Sequence, residues 1–171
     1  SLLTVSTELN KVPTAIYIGD VRRSRGLFTI LEAAEKAPHW NFEIIGNLSA
    51  LDREAVDAWI AKSAAVDRVK FHGRLAPKDA WKFAGKAWVG LTLLESTPAF
   101  VEAVPSKLYE YMSCGLATIS TPLPRCIELI EKSNGGKIAA SSDEVAAILN
   151  GWESNPNEIL AIRSAAKDWA S

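Results

Sequence analysis

The 171-residue sequence predicts an open, mostly parallel α/β sheet of about six strands with helices on both faces. Three observations carry this. Short runs of β-forming residues that end in glycine recur as "TAIYIGD", "NFEIIGN" and "RVKFHG". Each is followed by a stretch with apolar residues at helical spacing. A later apolar run, "WVGLTLL", lacks the alternation of a one-sided strand, as expected when both sheet faces are covered. Strands and helices that alternate in this way are joined by right-handed crossovers, which lay the helices on the sheet.

The elements follow in order. "TAIYIGD" (14–20) is a strand running into a tight turn at Gly19, and the helix after it, within 24–37, presents Leu27, Ile30, Leu31 and Ala34 on one face. A second strand (41–47) leads to a helix over 49–64 with Ala50, Val56 and Ile60 apolar. A third strand (68–73) ends at Gly73, and Pro77 sits near the start of the next helix (76–87). After the fourth strand (88–94) comes "PSKLYEYMSCG", a helix with Pro105 at its first position and Gly115 just past its end. A fifth strand (116–121), a helix (122–133), a short sixth strand (135–140) and two final helices complete the chain. With no internal repeat and no low-complexity linker, this is a single Rossmann-like domain. The opening "SLLTVSTELNKVP" reads as an irregular lead-in without an initiator methionine, so the chain is expected to be a fragment of a longer protein.

Composition narrows the function. Apolar residues make up 48% and charged residues 23%, which excludes disordered and fibrous classes. A net charge of -1 leaves no basic excess for nucleic acid or an anionic membrane, so any anion site must be local. No apolar run is long enough to span a bilayer. Cys114 and Cys126, with His39 and His72 as the only histidines, form no metal-ligand pattern, and both thiols read as reduced and structural in a reducing compartment.

Ligands of open α/β sheets bind beyond the carboxyl ends of the strands. The first such loop, "GDVRRSRG" (19–26), lacks both the G-x-G-x-x-G of dinucleotide binders and the phosphate-binding P-loop pattern. It carries Arg22, Arg23 and Arg25 ahead of Gly26 and a helix, which suits a diphosphate; a solvated basic turn is the alternative. The second informative stretch is "EAVPSKLYE" (102–110). A helix start at Pro105 points its free N–H groups and positive dipole end at residues 102–106, Ser106 included, and Lys107 adds a full charge. Glu110 then suits the vicinal hydroxyls of a ribose, and Glu102 those of a second sugar beyond the diphosphate. The plain alternative is a surface Lys107–Glu110 pair contributing ~0.2–0.5 kcal/mol, with Glu102 solvated in a loop. Trp81, Trp88 and Trp152 read as packing residues rather than sugar platforms, and His72 likewise.

Taken in order, these segments resemble the GT-B glycosyltransferases of the GT4 family. "EAVPSKLYEYMSCGLATIST" is similar to the family's E-x7-E segment, and "YIGDVRRSRGLFTILEAA" to its first strand and basic loop. "FEIIGN", "VKFHGRL" and "AWVGLTLLES" fall where its intervening strands fall, so the resemblance covers roughly residues 13–140. It implies retaining, metal-independent transfer of a hexose-type sugar from a UDP-sugar or GDP-sugar to an acceptor hydroxyl, with no further cofactor. The resemblance assigns Glu110 to the ribose and Glu102 to the donor sugar. Arg25 would contact the diphosphate and neutralise the leaving group, with Lys107 assisting. The base is expected against Gly73, Leu75 and Gly46, with Gly19, Arg22, Pro105 and Ser106 completing the donor site. Two positions depart from the pattern: Asp20 stands where an arginine is common, and Ala103–Val104 where glycine and an aromatic are frequent.

The resemblance is to the C-terminal, donor-binding domain alone. It implies as partners a nucleotide-sugar and an N-terminal acceptor domain of the same full-length protein, with no nucleic acid, and membrane contact only through that other domain. A cytoplasmic location at the inner face of the membrane, a role in polysaccharide or glycolipid synthesis, and little activity for this domain alone follow from the same resemblance. The competing reading is a non-catalytic α/β module that binds a phosphorylated ligand or a protein.

Overall fold

The computed structural model describes residues 9–171; the start of the expected lead-in, residues 1–8, lies outside the described residues. Six parallel strands, β1 (Thr14–Ile18), β2 (Asn41–Ile45), β3 (Val69–Gly73), β4 (Val89–Thr92), β5 (Ala117–Ser120) and β6 (Gly136–Ile138), form one sheet in the order β3-β2-β1-β4-β5-β6. The helices are α1 (Leu27–Lys36), α2 (Arg53–Lys62), α3 (Pro77–Lys86), α4 (Pro98–Val101), α5 (Ser106–Ser113), α6 (Pro124–Ser133), α7 (Ser142–Ser154) and α8 (Pro156–Ala170). The expected fold class holds, and each expected strand and helix is present. The single-turn α4 is additional, since four residues carry no readable helical period.

Alternating side chains of each central strand serve two cores. Ala15 and Tyr17 of β1 face the side covered by α1, α2 and α7, where Leu27, Trp40, Phe42 and Trp152 pack. Ile16 of β1 faces the other side, where Ile45, Trp81 of α3 and Tyr111 of α5 meet. A third cluster joins α5, α6 and α8 through Leu108, Met112, Leu129 and Ala166. Trp81 and Trp152 are buried and Trp88 is half-buried, donating its indole N–H to the Asn10 carbonyl at 2.9 Å, so all three have packing roles. His72 packs its ring on Phe83 at 4.5 Å and pairs with Glu43 on the neighbouring strand.

Strand order reverses between β1 and β4, whose direct pairing is confined to Ala15 with Val89 and Ile16 with Gly90. Beyond that point the phenol of Tyr111 completes the ladder. It accepts from the Ile18 N–H at 3.0 Å and donates to the Leu91 carbonyl at 3.3 Å. Gly90 makes the space, because a Cβ there would lie 2.3 Å from the Tyr111 ring. Tyr111→Phe removes the hydroxyl and leaves the buried Leu91 carbonyl and the half-buried Ile18 N–H unpaired. A loss of about 1–3 kcal/mol in urea unfolding, with unchanged slope, is expected.

The start of α5 differs from the expected one by a residue. Pro105 (φ -79, ψ 60) centres an inverse γ-turn in which the Ser106 N–H donates to the Val104 carbonyl at 2.8 Å. Its own carbonyl then accepts from Leu108 and Tyr109, so proline caps the helix instead of opening it. Lys107 N–H is the first-turn amide left without a backbone partner.

Candidate functional site

The carboxyl ends of β1, β2 and β3 bend away at glycines that the loops require. At Gly46 (φ 149) a Cβ would stand 1.6 Å from the Gly19 carbonyl oxygen, so the loops after β1 and β2 touch backbone to backbone. The Gly46 N–H donates to the Gly73 carbonyl at 2.9 Å and the Gly19 N–H to Ile45 at 2.9 Å, which ties three strand ends together. Over them opens a cavity of about 410 Å³ lined by Gly19, Asp20, Gly46, Arg74, Leu75 and, from the helices, Trp81 and Lys107.

A second cavity, of about 330 Å³, lies on the other side of Lys107, over the end of β4. Arg25, Thr92, Phe100, Pro105, Ser106 and Cys126 are among its walls. The Arg25 guanidinium lies 5.2 Å over the Phe100 ring, and Arg25 Nε and Thr92 Oγ1 are both buried without a hydrogen-bond partner. Gly26 (φ 88) lets the start of α1 meet the sheet, since a Cβ there would be 2.5 Å from the Leu93 carbonyl. This close approach delivers Arg25 to the second cavity.

Lys107 belongs to both cavities. Its Nζ is 3.5 Å from Glu110 and 5.3 Å from the centre of the Trp81 ring. A cation, the unpaired Lys107 N–H and the positive end of α5 therefore converge at the residue the two cavities share, and such a place suits an anion.

The expected site residues divide. Gly19, Gly46, Leu75 and Lys107 meet in the larger cavity, and Arg25, Pro105, Ser106 and Lys107 in the smaller one. Glu110 lies one turn along α5, paired with Lys107, and lines neither. Glu102 is 75% exposed and pairs with Arg125 at 3.7 Å, outside both linings. Arg22 is exposed, and Gly73 shapes the turn behind Arg74 without lining the cavity. Trp81, Arg74, Asn47 and Thr92 are lining residues that the sequence reading did not assign to the site. Trp81 carried a signal, since it sits on the first turns of α3 directly after "HGRL", with Pro77 and Ala80 on the same face. Thr92 carried none beyond a polar residue in an apolar strand.

Burial controls the titratable groups nearby. It pushes the Tyr17 phenol up to about 12, against the pull of the Arg25 charge, so Tyr17 stays neutral and donates to the Asp20 carbonyl at 2.6 Å. It also raises both thiols, Cys114 to about 11, and both are free and buried. Thiols held protonated are poor nucleophiles. Among the described residues no group of three or more His, Cys, Asp or Glu is placed to hold a metal ion, and no helix is long and apolar enough to cross a membrane.

Solved structures share this architecture. Anabaena HepE in complex with UDP-glucose superposes with a TM-score of 0.80 at 20% identity, over 94% of this chain and 44% of that one. WaaG, a glycosyltransferase involved in lipopolysaccharide biosynthesis, gives 0.78 at 17% identity, over 97% of this chain and 44% of its own. The C-terminal domain of the glycosyl transferase group 1 protein LpcC from Francisella tularensis gives 0.83 at 17% identity, over 98% of this chain and 93% of that domain. The chain thus spans less than half of HepE and of WaaG and nearly all of an isolated C-terminal domain, and at these identities the likeness is one of fold. Against curated proteins the sequence finds no match. The family description "Glycosyl transferases group 1" matches residues 4–169, end to end across this fold, and the chain belongs to that family.

Proposed function

We propose that this chain is the donor-binding half of a retaining, metal-independent glycosyltransferase of GT4 type, which moves a hexose from a nucleotide-diphosphate-sugar to an acceptor hydroxyl. The observation that carries the reading is the pair of cavities that share Lys107, one at the β1–β3 ends and one at the β4 end. A nucleotide-sugar has the same layout: nucleoside, diphosphate, sugar. The nucleoside enters the larger cavity with its base near Leu75 and Gly46, and the diphosphate lies at Lys107, its N–H and Arg25. The sugar occupies the smaller cavity. That HepE is a UDP-glucose complex on the same fold supports the reading.

In the reaction the bond from the anomeric carbon to the diphosphate oxygen breaks, and the nucleoside diphosphate leaves with the bonding pair. The acceptor oxygen forms the new bond on the same face of the sugar and gives its proton to the departing diphosphate oxygen. Arg25, Lys107 and the α5 dipole stabilise the charge that grows on the leaving oxygen, which lowers the barrier without a metal ion. Glu110 and Glu102 now hold surface cations at 3.5 and 3.7 Å. Exposed pairs of this kind are worth about 0–1 kcal/mol, so turning to ribose and sugar hydroxyls costs each carboxylate little. The acceptor, and the second domain that presents it, belong to a longer protein acting at the cytoplasmic face of a membrane in glycolipid or polysaccharide synthesis.

Calorimetric titration with UDP, GDP and their sugars tests this reading. One nucleotide series is expected to bind at millimolar concentration or below, and Glu110→Ala to weaken it about tenfold or more, as loss of charge-assisted bonds to two hydroxyls implies. No binding at millimolar ligand, or equal affinity in the variant, overturns it in favour of a module with another ligand.

A further inference from the structure

We propose that Thr92, which lines the 330 Å³ cavity, is a specificity-determining residue of the donor site, and that its unpartnered hydroxyl hydrogen-bonds a hydroxyl of the transferred sugar. The inference rests on the donor reading above and adds to it the group that reads the sugar.

The buried polar side chains of the described residues are Thr14, Thr92, Thr118, Ser120, Ser133 and Ser142. Five are satisfied within the fold: Thr14 by the Val12 carbonyl, Thr118 by Gly135, Ser120 by Thr121, Ser133 by Ile130 and Ser142 by the Lys36 ammonium. Thr92, 6% exposed, is the exception: its Oγ1 has no partner, and its residue lines the cavity. Its backbone is otherwise engaged, since the Thr92 carbonyl accepts from the Thr121 N–H at 3.2 Å. The neighbouring Thr121 hydroxyl donates to the Leu94 carbonyl at 2.6 Å and makes no hydrogen bond with Thr92. Thr97 Oγ1 is also without a partner, but that residue is half-buried and outside the lining.

A buried hydroxyl without a partner destabilises the fold, and valine would fill the same strand position as well or better. Thr92 therefore has its partner in a bound molecule. The surroundings identify the class. Leu94, Ala99, Phe100 and Cys126 give the cavity an apolar wall, while Arg25 and Lys107 stand on its phosphate side. A neutral pyranose next to a phosphate meets both, with its ring against the apolar wall and one hydroxyl on Thr92. A threonine hydroxyl can donate or accept, so it reads the presence of that hydroxyl and leaves its orientation to the ring.

Thr92→Val and Thr92→Ser test this in the 171-residue chain. UDP, GDP and a panel of their hexose and N-acetylhexosamine conjugates are titrated calorimetrically, and thermal unfolding is followed on the same samples. Thr92→Val is expected to weaken the best nucleotide-sugar about fivefold to tenfold while leaving its parent nucleotide within twofold, and Thr92→Ser to keep wild-type affinity for both. The valine variant is also expected to melt about 2–4 °C higher, because it removes an unsatisfied group. A role in folding alone would lower that midpoint and overturn the proposal. Equal loss for nucleotide and nucleotide-sugar, no loss for either, or no added affinity from any sugar in the wild type would overturn it while leaving nucleotide binding intact. Absence of all nucleotide binding overturns the donor reading itself, and this proposal with it.

Discussion

Gly46→Ala is expected to destabilise the fold by roughly 3 kcal/mol or more, read from the urea midpoint at constant slope. The reason is geometric. The new methyl would sit 1.6 Å from the Gly19 carbonyl oxygen, and that neighbour is backbone, which cannot rotate aside like a side chain. The residue also has φ 149, which an L side chain rarely adopts. Relief requires the loops after β1 and β2 to separate, which breaks the Gly46 to Gly73 and Gly19 to Ile45 hydrogen bonds. A domain of this size has roughly 5–15 kcal/mol to lose, so the variant is left marginal. Any folded fraction has a distorted larger cavity and is expected to bind nucleotide poorly. A loss below about 1 kcal/mol would show that the two loops are not in contact.

Lys107→Ala is expected to do the reverse, with little effect on stability and a large one on binding. The Lys107–Glu110 pair is partly exposed and spaced i, i+3. Such a pair supports a helix by ~0.2–0.5 kcal/mol, and the contact with Trp81 adds about 0.5–1 kcal/mol, so the unfolding midpoint should move by a few degrees at most. A charge-assisted bond to phosphate is worth about 1.5–3 kcal/mol, so nucleoside diphosphate affinity should fall roughly 10- to 100-fold. The salt dependence of binding should weaken in parallel, since one cation near the phosphates is gone. Calorimetry at two ionic strengths beside a melting curve decides the matter. Lost stability with unchanged affinity would mean that the lysine is only half of a surface pair.

The fold was legible because its signals are local and repeated. Each of "TAIYIGD", "NFEIIGN" and "RVKFHG" names a strand and the glycine that ends it, and β1, β2 and β3 stop where those glycines stand. The first two expected strands run two residues too long because they include the turn residues Gly19–Asp20 and Gly46–Asn47, which leave the ladder. Much of the lining of the two cavities was legible for the same reason: Gly19, Gly46, Leu75, Arg25, Ser106 and Lys107 are loop or helix-start residues next to those signals. What was not legible depends on contacts across long sequence separations. Tyr111 meets Ile18 from 93 positions away, and no periodicity in "SKLYEYMS" distinguishes it from a core aromatic. The unpaired state of Thr92 is visible only once every neighbour's partner is known. Glu102 and Glu110 stand in "EAVPSKLYE" as a pair, yet in the fold they point to different cations on different elements.

The hydroxyl of Tyr111 between β1 and β4 gives the two ends of the cleft different mechanical character. The helix that carries Lys107 and Glu110 is bolted to two strands by one atom, so α5 can shift only if the sheet shifts. On the proposed donor reading, the larger cavity between Leu75 and Lys107 is thus the stiffer end, which receives the nucleoside. The segment from Leu94 to Pro105 has no strand and only the single turn of α4. On the same reading, adjustment to different sugars falls to that segment, and exchanging it between relatives is expected to change which sugar is accepted without retuning the recognition of the base.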